Sequence, residues 1–253
     1  MTRVILFVNG KLGLNITRYL EAQHEFEIAG VVVNAPQKRA TNYISEMLEI
    51  SPSLQIFEHT ENIWNEPKLK NVIKSSNVAV SALFGHLIPA EVVKFFGSNL
   101  VNLHPSLLPI GRGADPIAWA IIEQKKQGVT IHVVEEGLDS GPVICQSEIP
   151  SDFGMNAGEI YELAMHELER LFIGLLANWP KRVNPEKQVG EPTLHQAREL
   201  KALRAKVLQG DLNLEHTLRM IQALTFSDGR TPKLRLSNGE LWEISLKMSK
   251  VEE

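Results

Sequence analysis

Two residues of useful chemistry stand two apart in the segment Asn102-Leu103-His104-Pro105-Ser106-Leu107-Leu108-Pro109. In an extended chain, residues i and i+2 point to the same face. Asn102 and His104 follow an apolar run, which puts them near the carboxyl end of a strand. Open parallel sheets bind their ligands at that end. The two prolines then keep the chain out of helix and strand, as a rigid exposed turn. A second segment, Gly128-Val129-Thr130-Ile131-His132, runs on to Glu135-Glu136-Gly137-Leu138-Asp139-Ser140-Gly141-Pro142. It reads as a strand entering a loop that presents Asp139, with glycines and a proline marking special backbone angles. Together the segments supply an amide, an imidazole and a carboxylate, the set that acyl transfer to an amine requires. The carbonyl oxygen gains negative charge and wants an oriented donor, which an Asn amide provides. The attacking amine must lose protons, and histidine titrates in the right range. A carboxylate beside the histidine orients and charge-balances it, or relays the proton.

Plainer readings compete with this one. A lone Asn-x-His is common, and a histidine at a strand end is more often a hydrogen-bonded polar residue than a catalyst. His104, His132 and Asp139 also form a conceivable metal set, although their spacing matches no standard zinc pattern. Asn9-Gly10-Lys11-Leu12-Gly13 resembles a nucleotide-binding turn but falls short of G-x-G-x-x-G. It reads as a tight strand-to-helix turn. The one cysteine, Cys145, reads as a small buried hydrophobe rather than a nucleophile.

Positioning these groups falls to a first half that alternates short apolar runs with helical patterns. Strands are expected at Val4–Val8, Ile28–Val33, Leu54–Phe57, Val78–Leu83, Leu100–Leu103, Val129–Val134 and Val143–Ile149. Helices are expected at Leu14–Ala22, Tyr43–Ile50, Pro89–Phe96, Ala114–Glu123 and Ala157–Leu176, with another closing at Val72–Lys74. Uniformly apolar strands spaced by helices imply a parallel sheet covered on both faces. The expected class is α/β, a doubly wound Rossmann-like, mostly parallel sheet. A Pro-rich break from Trp179 to Pro192 reads as a linker. It separates a catalytic part, residues 1–180, from a short α+β appendage, residues 193–253. The appendage carries helix candidates at Gln196–Val207 and Leu214–Leu224 and two strand-like runs around Ser-Asn-Gly.

The 253 residues are 43% apolar and 22% charged, ordinary for a globular protein, and the net charge is −4. No long basic run supplies a nucleic-acid footprint. The opening apolar stretch is too short for a signal peptide or a membrane span, so the expected location is the cytoplasm.

Taken in order, Asn-x-His-x-Ser-Leu-Leu-Pro, Gly-Arg-Gly-x-x-Pro (Gly111 to Pro116), Gly-Val-Thr-x-His and Gly-x-Asp-x-Gly-Pro-Val resemble the folate-dependent formyltransferases. The resemblance implies that Asn102, His104 and Asp139 form the catalytic triad. It implies N10-formyltetrahydrofolate as formyl donor, while the spacing of the histidines and Asp139 leaves no metal expected. The folate would be held by main-chain groups of the segment containing Phe84, Gly85, His86, Leu87 and Ile88, and of the loop with Glu135, Gly137 and Leu138. Ser106 and Arg112 would shape the loop, and Asp115 departs from the family's usual small residue.

Three acceptors compete within the family: glycinamide ribonucleotide, methionyl-tRNA and a nucleotide-linked amino sugar. The tRNA enzymes carry a larger, basic C-terminal barrel, and the purine enzymes generally stop after the long helix. Pro192–Leu200 and Met220–Phe226 are similar to the sugar N-formyltransferases, with Leu194 and Gln222 as departures. That subgroup implies a nucleotide-linked amino-dideoxy sugar as partner and a homodimer built through the C-terminal portion. A hydrolase using water is disfavoured, since that family adds an N-terminal regulatory domain. A non-catalytic folate- or nucleotide-binding module has no need of all three triad residues.

Overall fold

The computed structural model describes residues 1–35, 43–177, 179, 184–205, 213–227, 229–235 and 239–248. The elements run β1 (Thr2–Val8), α1 (Gly10–Glu21), β2 (Phe26–Val33), α2 (Ile44–Ile50), β3 (Ile56–Glu58), α3 (Pro67–Ser75), β4 (Val78–Ala82), α4 (Ala90–Phe96) and β5 (Leu100–His104). They continue with β6 (Arg112–Gly113), α5 (Pro116–Ile122), β7 (Gly128–Val133), β8 (Val143–Glu148), α6 (Ala157–Leu176), β9 (Leu194–His195), α7 (Ala197–Ala205), α8 (Leu214–Leu224), β10 (Lys233–Arg235) and β11 (Leu241–Glu243). The sheet has seven strands in the order β3-β2-β1-β4-β5-β7-β8. Pairings β1–β2, β1–β4, β2–β3 and β4–β5 are all parallel. The fold is thus α/β, Rossmann-like and mostly parallel, as expected, with the strand order reversing direction between β1 and β4. Ligands of such sheets sit outside the carboxyl ends of strands near that reversal.

Differences from the sequence expectation are local. Helix α1 begins at Gly10, so only Asn9 of the expected turn Asn9–Gly13 lies before the helix. Gly13 faces β1: a Cβ there would lie 2.8 Å from the Val8 Cβ, so glycine lets the helix pack onto its own strand. The third strand is Ile56–Glu58 rather than Leu54–Phe57, because Leu54 belongs to the turn that closes after α2. Trp179, expected to open a linker, is 5% exposed. The expected helix ending at Val207 is described only to Ala205, and part of the Ser-Asn-Gly turn lies outside the described residues. No described helix is long and apolar enough to cross a membrane.

The chain divides into two compact units. The first comprises Met1–His104, Ile131–Cys145 and Glu169–Lys187. Its core is packed from strand and helix faces around Ile5, Phe7, Val32, Leu69, Ala79 and Leu100. Phe7, fully buried, meets Phe84 and Trp64 at ring-centroid distances of 5.7 and 5.9 Å. Phe7→Ala is expected to cost about 3–5 kcal/mol of stability, from lost transfer energy and the cavity left behind. Thermal or urea denaturation measures it. The second unit comprises Pro105–Thr130, Gln146–Leu168 and Gln188–Glu253. Its α5 and α8 pack together, β6 pairs with β9, and β10 with β11. Gln222, buried on α8, donates through Nε2 to the Phe153 carbonyl, so the amide here closes an internal backbone acceptor.

Candidate active site

The apolar run that carries Asn102 and His104 is itself the strand: β5 extends to His104, with Leu100, Val101 and Leu103 buried. Val134 N–H donates to the Leu100 carbonyl at 2.9 Å. That bond anchors the end of β7 beside β5 and brings His132 against Asn102. The chain then swings through Glu135–Gly141 and returns, with Val133 N–H bonded to the Pro142 carbonyl at 2.9 Å. Gly141 permits the return: a Cβ there would lie 1.9 Å from the Val133 carbonyl oxygen. Within the loop, Gly137 sits at φ 107° and Asp139 at φ 49°. The Ser140 hydroxyl donates to the Glu136 carbonyl at 3.2 Å. Left-handed backbone is tolerated by Asp because its short side chain bonds locally. Here it turns the Asp139 carboxylate onto the two strands.

The resulting cluster is tight. Asp139 Oδ2 lies 3.7 Å from His104 Nδ1, and Oδ1 lies 3.5 Å from His132 Nε2. Asn102 Nδ2 donates to Asp139 Oδ1 at 3.4 Å and lies 3.1 Å from His132 Nε2. His132 Nδ1 lies 2.8 Å from the Val133 carbonyl, which can only accept. His132 therefore carries its proton on Nδ1 and accepts from Asn102 through Nε2. The Asn102 amide is consequently fixed with nitrogen toward the carboxylate, since its oxygen there would face another acceptor. Sequence reasoning gave His132 only a metal role. Among the described residues no group of three His, Cys, Asp or Glu is arranged to hold a metal.

Beside the cluster opens a cleft of ≈ 330 Å³. Ser81, Asn102, His132 and Asp139 are among its lining residues, together with Phe84, His86, Leu87, Ile88, Glu135, Gly137 and Leu138. All the expected folate-binding positions except Gly85 are therefore brought to one cleft. Gly85 is absent from that lining, and its N–H donates to Asn34 Oδ1 at 2.8 Å. His104, 5% exposed, is not among the lining residues but faces, at 3.7 Å, the carboxylate of Asp139, which is. Exposed Leu87 and Leu138 stand on the two loops that bound the cleft.

Within the second unit, Thr130 secures the turn that follows His104. Its hydroxyl donates to the Ser106 carbonyl at 2.6 Å and accepts from Leu108 N–H at 3.2 Å. Gln146 Nε2 donates to the Leu108 carbonyl at 2.7 Å and to Thr130 Oγ1 at 2.9 Å. The Leu108–Pro109 peptide is cis. Arg112 donates through Nε and Nη2 to Gln188 Oε1, a structural tie. Asp115, also left-handed, precedes Pro116 at the start of α5. Trp119 stacks on His195, with ring centroids 3.8 Å apart. Cys145 is half-buried rather than fully buried, and burial pushes its thiol pKa up, which disfavours the nucleophilic thiolate.

Residues 2–174 match the family described as formyl transferase. The methionyl-tRNA formyltransferase of Clostridium acetobutylicum is 35% identical over 159 residues, which cover 62% of this chain and 50% of that protein. The chain thus spans about half the length of the curated relatives it matches. A 4-N formyltransferase from Francisella tularensis superposes with TM-score 0.82 at 18% identity, covering 99% of each chain. An N-formyltransferase from Helicobacter canadensis, solved with folinic acid and dTDP-3-aminofucose, superposes with TM-score 0.71 at 17% identity, covering 90% of this chain and 82% of that one.

Proposed function

The chain belongs to the formyl transferase family, and from that premise we propose that it moves a formyl group from N10-formyltetrahydrofolate to the amine of a nucleotide-linked amino-dideoxy sugar. The observation that carries the formyl-transfer reading is the convergence of Asn102, His132 and Asp139 on one cleft, with His104 against the same carboxylate. The cleft suits a pterin. It is flanked by apolar side chains and by loops whose main-chain groups lie outside the sheet. A folate also occupies the Helicobacter relative.

Bound there, the donor would supply an activated formyl carbon. His104 removes the proton of the acceptor amine as its nitrogen attacks that carbon. It then returns a proton to the folate nitrogen as the old carbon–nitrogen bond breaks, so the imidazole ends as it began. Asp139 holds the imidazole and stabilises its charged form. Asn102 donates to the oxygen that gains negative charge. In the structure both Nδ2 hydrogens face His132 and Asp139. The donor role therefore begins with release of the longer, 3.4 Å bond to Asp139, while His132 keeps the amide oriented. We assign the chemistry to residues 1–180, and to residues 193–253 a supporting role, including contact with a second copy of the chain.

Support for a sugar acceptor comes from the likeness of 90% of the chain to the Helicobacter enzyme, which was solved with dTDP-3-aminofucose, and from the net charge of −4, which disfavours a polyanion. The second reading, methionyl-tRNA, draws on the 35% identity to the Clostridium enzyme. The deciding experiment follows consumption of N10-formyltetrahydrofolate against nucleotide-linked 3- and 4-amino sugars, glycinamide ribonucleotide, methionyl-tRNA and water. Fast turnover with one amino sugar is the expected result. Turnover only with tRNA moves the assignment to the second reading. Folate binding without turnover on any acceptor removes the catalytic reading.

A further inference from the structure

The cleft's first wall, Phe84–Ile88, is a loop, and a loop of this kind binds a rigid ring well only if something holds it still. The structure shows what does. The end of β2 grips it at two points: Gly85 N–H donates to Asn34 Oδ1 at 2.8 Å, and Ala35 N–H donates to His86 Nε2 at 3.3 Å. Asn34 is 2% exposed, so the first grip is rigid. The second depends on the orientation and tautomer of an imidazole. A backbone N–H only donates, so His86 must present a lone pair at Nε2 and carry its proton on Nδ1.

The ring that fixes His86 comes from outside the loop. His59, just beyond β3, lies face to face with it at 3.5 Å and 12°. His59 is itself wedged edge-on between Phe84, 5.9 Å away, and Trp64, 6.1 Å away. Its backbone N–H bonds to the Val33 carbonyl at 3.0 Å. One strand end therefore holds both the stacking ring and the loop it stacks upon.

We propose that His59 is a positioning residue for cofactor binding: its planar face holds His86 as the acceptor for Ala35 and so preorganises the Phe84–Ile88 wall of the cleft. His59 is absent from the cleft lining, so it acts through His86 rather than on the ligand. This inference rests on the reading of the cleft as a folate site.

The test uses the full chain and folinic acid as probe, with binding measured by calorimetry and steady-state kinetics measured on the natural donor. His59→Ala is expected to weaken folinic acid binding and raise KM for the donor about three- to tenfold, the range a lost aromatic stack gives. The expected kcat and acceptor KM stay within about twofold. His59→Phe, which keeps the planar face, is expected to bind as the wild type does. His86→Phe, which keeps the stack but removes the acceptor for Ala35, is expected to bind as weakly as His59→Ala. Should His59→Ala fail to fold, His59→Leu keeps the bulk without the plane and is expected to show the same loss. Unchanged binding in His59→Ala, or in His59→Leu, overturns the proposal. So does a His59→Phe variant as weak as His59→Ala. A wild-type chain that does not bind folinic acid overturns the folate reading itself, and this inference with it.

Discussion

His104→Asn lowers kcat about 10³-fold while leaving the chain folded, and Asp139→Asn lowers it about 10²-fold or more. The imidazole is the group that can take a proton from the amine and return one to the leaving nitrogen, and an amide does neither at neutral pH. Asp139→Asn preserves shape and the left-handed backbone, but removes the charge that faces His104 at 3.7 Å and accepts from Asn102 at 3.4 Å. Because both changes disable one unit, the double variant is expected to be little worse than His104→Asn alone. Single-turnover measurements on the three variants, with thermal melts as a folding control, check this. A double variant slowed by the product of the two factors shows that the residues act independently and removes the assigned roles.

Gly141→Ala damages fold and site together. Its Cβ would stand 1.9 Å from a carbonyl oxygen of the strand end, and backbone cannot step aside as a flexible side chain does. Relief requires the return of the loop to swing out, which breaks the Val133–Pro142 hydrogen bond and carries Asp139 away from His104. The expected cost is about 2–4 kcal/mol, a fall in melting temperature of about 5–15 °C, with kcat reduced as in Asp139→Asn. A melting temperature within a degree of wild type means that the loop relaxes without strain. Gly137→Ala is the contrast. Its left-handed φ is strained, but the near contact is the Ser140 side chain, which can rotate, so the smaller loss is expected.

Much of the sheet was legible because its strands are apolar throughout. Val4–Val8 and Val78–Ala82 are buried on both faces, as strands of a covered parallel sheet are. Boundaries slipped where polar residues continue an element. His104 finishes β5, one residue beyond the expected end at Leu103, and Glu58 ends β3 although Leu54 looked like its start. At the site, Asn102, His104 and Asp139 were singled out by residue type, and the fold brings the first two against the carboxylate of the third. His132 and Asn34 were not assigned their roles, since each acts through one hydrogen bond to a residue at least thirty positions away. No periodicity encodes such a pairing. Gly85 shows the converse: its place in a loop suggested a vacant N–H, and only the fold reveals that Asn34 had taken it.

The backbone of Asp139 also bears on how this position would behave in a library of variants. At φ 49° the side chains that sit without strain are glycine and the short residues that bond to their own main chain, chiefly Asn and Asp. Selection for folding alone would thus return Asp, Asn and Gly, and selection for activity would return Asp. Glutamate keeps the charge, yet its longer stem suits neither the left-handed turn nor the short reach to His104. Lengthening the acid by one methylene is therefore expected to be selected against twice over, and a screen that recovers Asp139→Glu would report a loop that has rebuilt itself around the change.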